Sequence, residues 1–214
     1  MNPPVRRAVS RARDRRALVL VAVAAIAVVS VVAGAFVLLG GSGVTGGAPS
    51  GAAGCQDEKR AGLVPTLEQR VPASFEGRAA DQLDSSVTCT AEGLGSLGAV
   101  HGLTSVSSAG GLWDLGPSTG ITLAVFRVDG AARADWVAEF YETGALRARK
   151  VSGLTETHPT VAGRAATRLD YADASFPGTI VVWPGRDADL VNVVLAAGVP
   201  DRIVQEGIAA FADG

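Results

Sequence analysis

The residues with the most specialised chemistry in this 214-residue sequence are its two histidines, His101 and His158, and its two cysteines, Cys55 and Cys89. Together they hold enough nitrogen and sulfur for a zinc site. Such sites are recognised in sequence by close ligand pairs, C-x-x-C or H-x-x-x-H, which bring two donors together locally. No such pair occurs, so no metal is expected. A histidine can also act as general base for a serine. The G-x-S-x-G elbow that would present the serine is absent, and His158 stands directly before Pro159, at the start of a loop. A hydrolase using His101 or His158 is therefore the second reading.

Three other patterns invite chemistry. Gly93-Leu94-Gly95-Ser96-Leu97-Gly98 spells G-x-G-x-x-G, with Asp114 about 20 residues on. A dinucleotide site needs that string between a buried strand and an opening helix. Ala91-Glu92 breaks the strand, and Gly102 with the serines after it spoils the helix, so a glycine-rich loop is expected. Asp187 and Asp189, with Asp170 and Asp173 nearby, could offer oxygens to calcium, but they lack the D-x-D-x-D-G order; turn carboxylates are the better account. Trp136 and Trp183 lie where a helix and a strand should face the core. Trp113, within Gly110-Gly111-Leu112-Trp113-Asp114, is the candidate exposed binding aromatic. No catalytic residue, cofactor or metal is assigned.

The elements that must position these residues are clearest in the second half of the chain. Ile121 to Val128 is β-branched and apolar, about strand length, and bounded by Gly120 and Asp129-Gly130. Ala131 to Thr143 has helical spacing through Ala132, Trp136 and Phe140, with Asp129 placed to cap it and Gly144 to end it. Val161 and Ala165 to Tyr171 read as two strands around Gly163-Arg164. Thr179 to Trp183 and Leu190 to Ala196 read as another pair, with Pro184-Gly185 suited to a type II turn. A final helix is expected over Pro200 to Ala212. In residues 57–115 the expectations are a short helix at Thr66 to Arg70 and strands at Ser86 to Thr90 and Val100 to Val106. The order implies an α+β domain, an antiparallel sheet with two or three helices packed on one face.

Ahead of that domain, residues 17–56 carry no charge, and Leu18 to Leu39 is almost wholly apolar. As a helix this run would measure roughly 33 Å, enough to cross a hydrocarbon core of about 30 Å. Six arginines precede it, at positions 6, 7, 11, 13, 15 and 16, against Asp14 alone, giving the tail a charge of +5 and leaving −7 beyond the run. Positive residues beside a span stay cytoplasmic. The expected plan is a basic tail over 1–17, a transmembrane helix over 18–39, a flexible linker over 40–56 and an extracytoplasmic domain over 57–214. The tail is too short to fold as an output domain. An acidic outer domain is unsuited to nucleic acid, whose binding requires clustered Lys and Arg.

Both cysteines fall on the expected outer side, where a disulfide persists. Closing their 34-residue separation would stabilise the fold by roughly 3–4 kcal/mol. The alternative is one buried and one free thiol. Processing also has faint signals: Arg15-Arg16-Ala17-Leu18 has the form of a twin-arginine signal, and Ala52-Ala53-Gly54-Cys55 that of a lipobox. The apolar run exceeds the 7–15 residues of a secretory core, so a retained span is preferred.

The last 95 residues or so contain Ala124-Val125-Phe126-Arg127-Val128-Asp129-Gly130 leading into a helix. Thr160-Val161-Ala162-Gly163-Arg164, Ile180-Val181-Val182-Trp183 and a closing helix follow. This pattern, with its Ala-, Val-, Gly- and Arg-rich composition, resembles membrane-anchored or exported domain proteins of high-GC Gram-positive (actinobacterial) bacteria, a group without assigned activity. The resemblance implies a compartment and a fold, and no catalytic residue. The expected function is a non-enzymatic binding module, held to the lipid bilayer through residues 18–39, whose partner is an envelope or membrane protein.

Overall fold

The computed structural model describes residues 55–128, 133–146, 151–172 and 177–211. The expected basic tail, the expected span over 18–39 and residues 40–54 of the expected linker lie outside the described residues, as do Asp129, the expected cap, and Asp173. Among the described residues no helix is long and apolar enough to cross a membrane.

Among the described residues ten strands follow one another: β1 (Glu58–Arg60), β2 (Gln82–Thr88), β3 (Val106–Gly116), β4 (Thr119–Val128), β5 (Ser152–Thr157), β6 (Thr160–Val161), β7 (Arg164–Ala165), β8 (Thr167–Ala172), β9 (Pro177–Pro184) and β10 (Leu190–Ala197). Eight of them form one sheet in the order β1-β2-β3-β4-β10-β9-β8-β5, and β6 and β7 pair separately. Every neighbouring pair is antiparallel. The domain is therefore α+β and dominated by antiparallel sheet, in agreement with the expected class.

The helices α1 (Pro65–Glu68), α2 (Ala91–Leu94), α3 (Ser96–Ala99), α4 (Ala134–Phe140) and α5 (Asp201–Ala210) are not confined to one face, which corrects the expectation. The middle strands are apolar on both sides. In β4, Ile121, Leu123 and Val125 join one buried cluster, whereas Ala124, Phe126 and Val128 join another. β9 and β10 divide in the same way, with Val181, Trp183 and Val194 on the first side and Ile180, Val182 and Val193 on the second. A strand with two apolar faces needs cover on both. Leu67 of α1 and Ile203 and Val204 of α5 close the first cluster. Leu94, Leu97, Val137 and Phe140, from α2, α3 and α4, close the second.

Local differences have local causes. The helix expected over 131–143 passes at Phe140 into a π-helical turn, Tyr141–Leu146, which contains Gly144 rather than ending at it. Gly185 does not take positive φ, so Pro184-Gly185 is not a type II turn. Its N–H donates to the Leu190 carbonyl at 2.7 Å, and a Cβ there would lie 2.9 Å from Leu190 Cβ. The strand expected at Val100 to Val106 begins only at Val106 and continues to Gly116. The sequence carries no signal for β1 or β5: their side chains are largely exposed, so no apolar alternation marks them.

α5 lies close to the sheet because Gly207 faces it. A Cβ at Gly207 would sit 2.6 Å from Ile121 Cδ1 and 3.1 Å from Leu123 Cδ2. Gly207→Val is expected to destabilise the domain by about 1–3 kcal/mol through overpacking, a difference read from the midpoint of urea unfolding. An unchanged midpoint would mean that α5 is not tightly seated.

Candidate functional site

A groove of about 360 Å³ opens where α5, the β6–β7 hairpin and the sheet meet. The hairpin is a two-residue loop in which Ala162 (φ 48°) and Gly163 (φ 74°) are both left-handed, as the tightest antiparallel connections require. It projects Thr160 and Val161 over the groove; Gln205 and Ile208 of α5 form the other wall, Arg168 and Val181 lie at the sheet, and Thr157 and Pro159 close one end.

Arg168 organises this region. Its Nε and Nη2 donate to the two carboxylate oxygens of Asp170 at 2.8 and 3.0 Å, and its Nη1 donates to Asp201 Oδ1 at 2.6 Å. The Thr179 hydroxyl donates to Asp170 Oδ1 at 2.7 Å. The hydrogen bonds it donates to Asp170 and then to Asp201, set against partial burial, hold the guanidinium above its ordinary value. Burial pushes Asp170 up, but the donors Arg168 and Thr179 outweigh it and hold the carboxyl below its ordinary value. A guanidinium that stays protonated cannot shuttle protons. The arrangement is suited to holding a ligand rather than to acid–base chemistry.

Neither Arg168 nor Asp201 was singled out by the sequence. Arg168 and Asp170 are two apart in a strand, so they share a face, the half-buried one opposite the fully buried Leu169 of β8. The signal was readable; Asp201, 33 residues away, was not.

The expected site residues are scattered. His101 is stacked flat on Trp136, with ring centroids 4.3 Å apart, and its Nε2 is 2.9 Å from Glu139 Oε2. Arg133 lies over the same indole at 4.6 Å. His158 is exposed and 3.6 Å from Glu156. Among the described residues neither ring is hydrogen-bonded to a hydroxyl or thiol, and the two histidines do not form a common site. Trp113 is corrected from exposed to 0 % exposed: Gly110 and Gly111 belong to β3, and the indole turns into the core, edge-on to Phe75. Its Nε1 donates to the Arg78 carbonyl at 3.0 Å. Trp136 is half-buried and Trp183 fully buried.

The Gly93–Gly98 string is not a loop. It forms α2 and α3, joined at Gly95 with φ 52°, and buries Leu94 and Leu97. Asp187 and Asp189 are paired with Arg70 and Arg127 at 2.8 and 2.9 Å. Among the described residues no group of three acidic, histidine or cysteine side chains is placed to hold a metal.

Cys55 and Cys89 are joined by a disulfide, their Cα atoms 6.1 Å apart. The bond ties the first described residue to the end of β2. Asp57 reinforces the same corner by accepting from the Cys89 and Thr90 N–H groups at 2.8 and 2.9 Å and from the Thr90 hydroxyl at 2.7 Å. Thr90 in turn caps α2 by accepting from the Gly93 N–H. Compared with known proteins, the chain matches no family model and has no significant match among curated proteins.

Burial pushes Asp57 up, yet its three donors outweigh this and hold it below its ordinary value of 3.8. Its contribution to stability is therefore complete above that value and is lost as pH falls through the lower folded-state value. Asp57→Ala is expected to lower stability by about 1–2 kcal/mol near neutral pH. The gap from the unsubstituted protein should close only below pH 3.8. Unfolding measured across that range checks it, and a gap already closing at pH 5–6 would assign the loss to another group.

Proposed function

We propose that this chain is a single-pass membrane protein, with its N-terminus cytoplasmic, that presents a non-catalytic binding domain to a component of the cell envelope. The observation that carries the proposal is the Cys55–Cys89 disulfide. Such bonds persist in oxidising compartments, and this one lies where the Gly-, Ser- and Ala-rich segment meets the folded domain. The arginines before residue 18 and the uncharged stretch after them support the same orientation. The groove beside Arg168 supports a binding role, because it combines apolar walls with polar groups already held in position.

Site-specific photo-crosslinking on intact cells tests this. A photoreactive residue at Gln205, in the groove, should capture a discrete envelope component. The same residue at Val100, 64 % exposed and away from the groove, should not. Indistinguishable adducts from the two positions would sink the proposal, as would labelling of the domain from the cytoplasmic side alone.

A further inference from the structure

The strand register extends the groove into a polar shelf. Thr157, Arg168 and Val181 are aligned across β5, β8 and β9, and Thr155, Asp170 and Thr179 form the next row on the same face. Further along β9 and β10 this face is covered by α5 and is apolar. At the β5 end it carries hydroxyls, a guanidinium and a carboxylate instead. We propose that the shelf and the groove together bind a neutral, hydroxyl-rich ligand, with the chemistry of a saccharide. The proposal rests on the binding role argued above and names its ligand class.

Charge disfavours a small lone ion. One guanidinium is matched against two carboxylates, Asp170 and Asp201, so an anion approaching Arg168 meets both acids and a cation approaching the acids meets Arg168. A neutral ligand avoids both conflicts and can use either kind of partner. Arg168 has five N–H donors, of which three are engaged. Thr157 and Thr160 add hydroxyls that both donate and accept, Thr155 adds a hydroxyl that donates to the Gly153 carbonyl at 3.5 Å and can still accept, and Gln205 adds an amide. Apart from Thr155, these groups line the groove beside Pro159, Val161, Val181 and Ile208. Sugar rings present that same pairing of hydroxyl edges with apolar C–H faces. The ion-pair network fixes Arg168 before any ligand arrives, which lowers the ordering cost of binding.

The test uses the full chain, isotopically labelled in lipid nanodiscs and titrated with the neutral trimer of N-acetylglucosamine. Saturable amide shifts are expected at Thr155, Thr157, Arg168 and Thr179. Thr157→Val removes one exposed hydroxyl with little change of shape, and it should weaken binding about fivefold. Arg168→Lys breaks the planar fork and should weaken it at least about tenfold. Trigalacturonic acid, equal in ring number but anionic, should bind more weakly. The proposal is overturned by an absence of saturable shifts up to about 10 mM trimer, by shifts confined to another face, or by Thr157→Val binding as before. Failure of the trimer with continued capture from Gln205 would discard the saccharide and leave the binding role standing; failure of both would discard both.

Discussion

The structure depends on three adjacent strands that are apolar on both faces. β4, β10 and β9 lie side by side in the sheet, and their side chains alternate between two separate buried clusters. An antiparallel sheet can leave one face to water; this one cannot. Burying only one side would leave Ala124, Phe126, Val128, Ile180, Val182, Val191 and Val193 exposed, at roughly 1.5–3 kcal/mol for each large side chain. The chain meets the demand with short helices drawn from both ends of the domain. α1 and α5 close one side, and α2, α3 and α4 close the other. The crossing from β4 to the far edge strand β5 carries α4 over the second face, so the connection itself serves as cover.

The groove follows from where that cover stops. α5 closes the sheet over β4 and β10, held near it by Gly207. Toward β8 and β5 the same face changes from apolar to polar, and the transition occurs at Arg168. A charge at that boundary is tolerable because two carboxylates and a threonine hydroxyl satisfy the network around it. The small β6–β7 hairpin then rises beside the boundary and turns a sheet edge into a concave surface. Nothing in this arrangement calls on the histidines. His101 uses its ring to join the end of α3 to α4 through Trp136 and Glu139.

At the opposite edge of the sheet, three residues of β1 cover only Ser85–Val87 of β2. So short a strand has little holding power of its own. The disulfide fixes its upstream end, and Asp57 binds the backbone at the same corner. A link at this point also joins whatever precedes residue 55 to an interior strand rather than to the edge. That placement matches the demands of a domain held from its N-terminus, the role proposed for it.

Much of the local structure was legible in the sequence, because it rests on short-range pattern. The runs Ile121 to Val128, Thr179 to Trp183 and Leu190 to Ala196 announced strands through β-branched, apolar composition. Pro200 announced the start of α5, and the lone cysteine pair supplied the disulfide partners without a choice of connectivity. The same apolar runs also carried the demand for cover on both faces, since continuous rather than alternating hydrophobicity marks a doubly buried strand, yet the expectation placed the helices on one face only. Tertiary structure alone decided the rest. Strand order placed β10 beside β4 and so determined which rows of side chains line up. Trp113 was turned inward by the pairing of β3, although its glycine-rich neighbours suggested exposure. The one-turn helices α2 and α3 are too short to show a period, and the edge strands β1 and β5 bury too little to show alternation. Arg168 and Asp201 meet only because β8 and α5 share a face, and contacts between distant segments leave no local signature in the chain.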